Sequence, residues 1–142
     1  MINSASEAFE EGIALLNPLL VTYGFIFKDS GKGNSSGGPF ACGEFRKDGR
    51  WLELHFRNSL GLVSYHLDVR AMSHQDYMRS VIGKPNSSHY PGFSDDPLDG
   101  FRHLLLDLRE YGVDFLSGTD QCLMNRIDLA NDLPTIKRGL PD

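Results

Sequence analysis

Trp51-Leu52-Glu53-Leu54-His55-Phe56-Arg57, followed after a short break by Leu62-Val63-Ser64-Tyr65-His66-Leu67-Asp68-Val69, decides how this chain folds. Successive side chains on a strand point to opposite faces, so each run separates into an apolar and a polar set. In the first run Leu52, Leu54 and Phe56 oppose Trp51, Glu53, His55 and Arg57; in the second Val63, Tyr65, Leu67 and Val69 oppose Leu62, Ser64, His66 and Asp68. A slip of one residue would turn one apolar set to the wrong side, so the pattern restricts the pairing. Asn58 to Gly61 is read as a four-residue loop on a type I turn, with Gly61 at positive φ. That loop pairs Phe56 with Val63, Leu54 with Tyr65 and Leu52 with Leu67.

Upstream, Asp48-Gly49 is a strong signal for a two-residue type I′ hairpin between a strand at Phe40 to Arg46 and the Trp51 strand. It sets Phe45 opposite Leu52, Gly43 opposite Leu54 and Ala41 opposite Phe56. The small residues leave room for something bulky, and a helix is expected to fill it. On the other face the three strands gather Cys42, Glu44, Glu53, His55, Ser64 and His66. The cross-strand rows expected there are Cys42, His55 and Ser64, then Glu44, Glu53 and His66, then Arg46, Trp51 and Asp68. Directly opposed Glu44 and Glu53 repel, which raises a carboxylate pKa unless a cation lies between them, and His66 or a metal would supply it.

Outside the hairpins, Phe9, Ile13, Leu16 and Leu20 recur at helical intervals, and Ser4 with Glu7 has capping-box spacing. A helix is predicted from about Ser6 to Tyr23, kinked at Pro18 and ended by Gly24. Phe25 begins a first strand over residues 25 to 29, and the glycine- and serine-rich Ser30 to Pro39 reads as a flexible loop. A phosphate-binding loop needs a lysine and then Ser or Thr after its last glycine, opening a helix, whereas Gly37-Gly38-Pro39 leads into a strand. Ser73 and Asp76 start a short helix carrying Tyr77, Met78, Val81 and Ile82 on one side, stopped by Gly83. Lys84 to Asp96 is a long connection that carries His89, Tyr90 and Phe93, and His89 and Tyr90 would form a lid if the loop folds over the polar face. Asp96-Pro97 then opens one long helix to about Ser117, Thr119 or Asp120 caps a last helix with Leu123, Ile127 and Ala130 inward, and residues 134–142 form a loose tail.

The 142 residues are therefore read as a single α+β domain: a four-stranded antiparallel meander (25 to 29, 40 to 46, 51 to 57, 62 to 69) with the N-terminal helix and C-terminal helices on its apolar face. A net charge of −5 and a pI near 5.4 argue against a nucleic-acid backbone as partner. Cys42 and Cys122 are distant in sequence and the first residues lack the pattern of a signal peptide, so reduced thiols in a cytoplasm are expected. No membrane span is expected, since the apolar stretch from Gly12 to Val21 is interrupted by Asn17 and Pro18.

Two chemistries suit the polar face. Arg46, Trp51 and Arg57, with His89, Tyr90 and Phe93, would form a protein-binding surface, as arginine and tryptophan are enriched where binding energy concentrates. Alternatively Glu44, Glu53, His55 and His66 would act as acid and base in a hydrolytic enzyme, or Glu53 and His66 would hold a divalent metal. Cys42 beside His55 is a further candidate, as a thiolate nucleophile. No HExxH, CxxC or GxSxG pattern accompanies them.

The proline-interrupted first helix ending in Gly24-Phe25, followed by a meander and C-terminal helices, resembles in layout small uncharacterised bacterial α+β proteins, including some immunity proteins of toxin systems. The resemblance implies a protein that binds and blocks a partner toxin, and acidity suits a basic one. The leading expectation is accordingly a soluble cytoplasmic binding protein of immunity or regulatory type, and a divalent metal enters only in the hydrolytic alternative.

Overall fold

Strands whose apolar residues all face one way need a cover on that side, and the computed structural model shows it built from helices at both ends of the chain. Residues 5–35, 38–57, 60–82 and 96–132 are described. The order is α1 (Ala5–Thr22), β1 (Ile26–Ser35), β2 (Gly38–Lys47), β3 (Arg50–Phe56), β4 (Leu60–Leu67), β5 (Arg70–Ser73), α2 (His74–Ile82), α3 (Asp99–Tyr111), α4 (Val113–Leu116) and α5 (Asp120–Asp132). The strands form one antiparallel meander in sequence order, and the fold is α+β as expected. Leu52, Leu54, Val63, Tyr65 and Leu67 are buried beneath Phe9, Leu16 and Leu20 of α1, Phe101, Leu104 and Leu108 of α3, and Leu123 and Ile127 of α5. Each such side chain, fully buried, contributes roughly 1.5–3 kcal/mol.

The Asp48-Gly49 hairpin has the expected register, with Phe45 opposite Leu52, Gly43 opposite Leu54 and Ala41 opposite Phe56. Asp48 takes a φ of 52°, which an aspartate tolerates better than most residues. What fills the space over Gly43 is not a helix. It is the ring of Phe27 from β1, so close that a Cβ at position 43 would stand 2.5 Å from its Cζ.

Between β3 and β4 the register differs from the expected one by two residues: Leu54 pairs with Val63 and Leu52 with Tyr65. A bulge between His55 and Phe56 brings Leu60 opposite Phe56, where it is fully buried. Burying Leu60 favours this pairing, and Gly61 lies inside β4 without the expected positive φ. Because the shift is even, every side chain keeps its face.

Three further expectations are corrected. The chain turns at Asp68-Val69, Asp68 at φ 53°, and returns as a fifth strand, so Val69 is fully exposed and Asp68 belongs to a turn and not to the polar rows. Ser30 to Pro39 is not a free loop on its described part: past a bulge between Asp29 and Gly31, β1 pairs with β2 as far as Ser35 and Gly38. The long helix is interrupted at Gly112, whose N–H donates to the Leu108 carbonyl at 2.9 Å. A Cβ there would lie 2.5 Å from that same oxygen. Past the interruption, Phe115 and Leu116 of α4 are both buried.

Arg50 holds α4 in place. Its position in the alternation puts it on the apolar face, where it is 5% exposed. The guanidinium donates to the Phe115 carbonyl at 2.7 Å and to Asp120 Oδ1 at 2.6 Å, and Lys47 Nζ donates to the Leu116 carbonyl at 2.9 Å. The turn end of the β2–β3 hairpin thus satisfies carbonyls that the end of a helix leaves without partners. At the other helices, Ser73 Oγ accepts the Asp76 N–H and Thr119 Oγ1 accepts the Cys122 N–H, each at 3.1 Å, as capping predicted. Ser4, Gly83, the Lys84 to Asp96 connection up to residue 95, and the tail lie outside the described residues.

Gly43→Ala tests the strand contact: the added methyl displaces the Phe27 ring or the strand, and urea unfolding should show a loss of about 1–3 kcal/mol.

Candidate functional site

The outward face of β1 to β5 carries three cross-strand rows: Ile26, Arg46, Trp51, His66 and Ala71; Lys28, Glu44, Glu53, Ser64 and Ser73; and Gly31, Cys42, His55 and Leu62. Glu44, Glu53, His55 and His66 do share this side, as alternation required. The two-residue register difference changes the neighbours. His66 pairs with Trp51 and not with Glu53, Ser64 takes the place beside Glu53, and Leu62 that beside His55.

Glu53 is the centre of the cluster. From the diagonal position His66 donates its Nε2–H to Oε1 at 2.7 Å, and His55, two residues along the same strand, donates its Nε2–H to Oε2 at 2.7 Å. Partial burial alone would push the carboxyl up, but the two imidazole hydrogen bonds outweigh it and hold Glu53 below its ordinary value. Glu44, directly opposite, is paired with the Arg46 guanidinium along its own strand. The expected repulsion of the two carboxylates is thereby relieved by three side-chain cations or donors.

The neighbouring row is a stack. The His66 ring lies parallel to the Trp51 indole, 4.6 Å between centroids and 4° between planes, and the Arg46 guanidinium sits 4.4 Å from the indole centroid. A planar cation over an aromatic face is attracted by the ring quadrupole. His66 therefore serves both rows, its ring on Trp51 and its Nε2 on Glu53. Arg57 is tied to the start of β2 by a hydrogen bond from Nη1 to the Gly38 carbonyl at 2.8 Å, with Phe40 beneath it. Ile26 is 73% exposed and Leu62 40%, so apolar surface stands at two corners of the face.

The thiolate expectation for Cys42 is overturned. Its Sγ–H donates to the Gly31 carbonyl, and burial, then the charges of Asp29 and Glu53, push the thiol up, while the nearby His55 spends its Nε2 on Glu53. Glu53 and His66, the pair read as metal ligands, contact one another directly, and among the described residues no group of three or more His, Cys, Asp or Glu side chains is arranged to hold a metal ion. A Glu53 carboxylate with both oxygens engaged by imidazoles is a poor proton acceptor for a substrate. The arrangement supplies an ordered, mixed-charge surface with an aromatic centre. His89, Tyr90 and Phe93 lie outside the described residues.

A second titratable cluster lies on the opposite, buried side. His74 Nδ1 accepts the Tyr65 hydroxyl at 2.5 Å, and His74 Nε2–H donates to Asp107 Oδ2 at 2.8 Å. Tyr65 is 0%, His74 1% and Asp107 5% exposed, so this chain links β4, the start of α2 and α3 inside the core. The signal for it in the sequence is Asp107 itself, a charge on the inward stripe of a helix between Leu104 and Leu108. Buried charge persists when it is paired and hydrogen-bonded, and the imidazole supplies that pairing.

A scan of protein-family models finds no match to this chain, and comparison with curated proteins and with solved structures finds none either. No helix among the described residues is long and apolar enough to cross a membrane.

Two measurements follow from these clusters. A carboxyl held below its unfolded pKa stabilises the fold above that unfolded value, and the contribution disappears as pH falls through the folded one. Between about pH 6 and about pH 3 the wild type should therefore lose more thermal stability than Glu53→Gln, which has no carboxyl to titrate. In the buried chain, His74→Leu takes the imidazole from Asp107 and should cost about 3 kcal/mol in chemical denaturation, and adding Asp107→Leu should recover part of that loss.

Proposed function

We propose that this chain is a cytoplasmic bacterial binding protein, of immunity or regulatory type, that engages a protein partner through the outward sheet face. The observation that carries the reading is the Arg46–Trp51–His66 stack: an aromatic centre with cationic and imidazole flanks on a face that none of the described helices packs against. Tryptophan and arginine concentrate binding energy when a partner dries them, and an ordered stack loses little side-chain freedom on docking. Trp51 is already half-buried and fixed between its neighbours, which supports a preformed contact. Ile26 and Leu62 add apolar contacts at the margin. The net charge of −5 favours a basic partner, such as a cationic toxin, by steering its approach.

Affinity purification from the native host tests this with four baits: wild type, Trp51→Ala, Arg46→Ala and, on the helical side, Val113→Ala. A protein recovered with wild type and Val113→Ala but reduced about tenfold or more with Trp51→Ala or Arg46→Ala is the expected result. Circular dichroism confirms that each bait is folded. Recovery of the same partner at undiminished yield by both sheet-face variants, or no partner with any bait, overturns the reading.

A further inference from the structure

Where α1 runs beside β1 and β2, on the helical side of the sheet, the structure holds a pocket of about 230 Å³. Its floor is apolar, made by Phe9, Phe27 and Ala41, and its rim carries Glu10, Asp29 and Lys32. This is a different surface from the Trp51 face and takes no part in the function proposed above.

The pocket has a local cause in the backbone. The bulge between Asp29 and Gly31 breaks the alternation of β1, and Asp29 Oδ1 accepts the Gly31 N–H at 2.9 Å, which fixes that carboxylate at the rim. Ala41 leaves the floor open where a larger residue would close it. Phe9 and Phe27 meet at 6.0 Å with their planes inclined by 54°, and both rings line the pocket. Lys32 forms no hydrogen bond or ion pair with Glu10 or Asp29 among the described residues, so neither carboxylate is neutralised by it.

Size and charge together select a ligand class. A dry apolar cavity of about 150 Å³ takes up benzene, so this one has room for a single aromatic ring with a short arm. Two carboxylates against one ammonium leave the rim with one net negative charge, which favours a cationic head group. We propose that this pocket binds a small arylalkylamine, the ring seated on Phe9, Phe27 and Ala41 and the ammonium held between Glu10 and Asp29.

The test is an amide ¹H–¹⁵N titration of the full chain with three molecules that share a ring and differ in the head group: 2-phenylethylamine, 2-phenylethanol and phenylacetate. The amine should shift the Phe27, Gly31 and Ala41 amides saturably, with a Kd of about 1 mM as a fragment of about nine non-hydrogen atoms gives at ordinary efficiency. The alcohol should bind about fivefold more weakly, and phenylacetate weaker still. Glu10→Gln combined with Asp29→Asn keeps the exposed helix position and the acceptor for the Gly31 N–H, so the fold is retained and only the charge is lost. In that variant the amine should bind no better than the alcohol. The proposal is overturned by any of four results: no saturable shift with up to about 10 mM amine, shifts away from the pocket, phenylacetate binding as tightly as the amine, or a variant that still prefers the amine.

Discussion

Parity is the constraint on which this structure depends. Two-residue connections at Asp48-Gly49 and Asp68-Val69 lock β2 to β3 and β4 to β5 in registers that put Phe45, Leu52, Leu54, Phe56, Val63, Tyr65, Leu67 and Met72 on one side, and even the irregular β3–β4 junction departs from the simplest pairing by two residues and not by one. A single-residue slip of β3 against its neighbours would expose Leu52, Leu54 and Phe56 and bury Glu53 and His55. The helices, the core and the ordered polar face are all consequences of that rule.

Among the described strand residues, Arg50 is the polar side chain that parity buries, and it shows how the fold answers an exception. Arg50 follows the alternation of β3 and so enters the apolar side, but at the end of the strand, where the carbonyls of α4 and the carboxylate of Asp120 converge on it. Its charge is used to hold a four-residue helix that could not persist alone. His74 and Asp107 follow the same logic deeper in the core, where Tyr65 completes the hydrogen bonding.

How much of this was legible in the sequence varied with the kind of signal. Leu52, Leu54 and Phe56 announced their face, and Asp-Gly announced a turn whose length leaves one register. The β3–β4 register was underdetermined because period-two alternation is blind to shifts of two; only Leu60, an apolar residue inside what looked like a loop, distinguished the alternatives. β5 was missed because Asp68-Val69 has no glycine and Arg70-Ala71-Met72-Ser73 contains too few apolar residues to show a period. The break at Gly112 was hidden because Phe115 and Leu116 remain in phase with a continuous helix. Within the candidate site, which groups shared a side was readable, but contact was not: the stacking of His66 on Trp51 depends on the register, and the Tyr65–His74–Asp107 chain joins residues that no local pattern connects.

The outer strands of the meander have a consequence for how the molecule meets other chains. β1, at one border, is buckled by its bulge and carries Lys28 and Lys32, and β5, at the other, is only four residues long with Arg70 at its start. Bent or abbreviated borders with positive charge are poor templates for a further strand, so the sheet resists growing into another molecule through main-chain pairing. Self-assembly into fibrils and recognition by strand addition are both discouraged by the same feature, which leaves side chains as the means by which this protein is read.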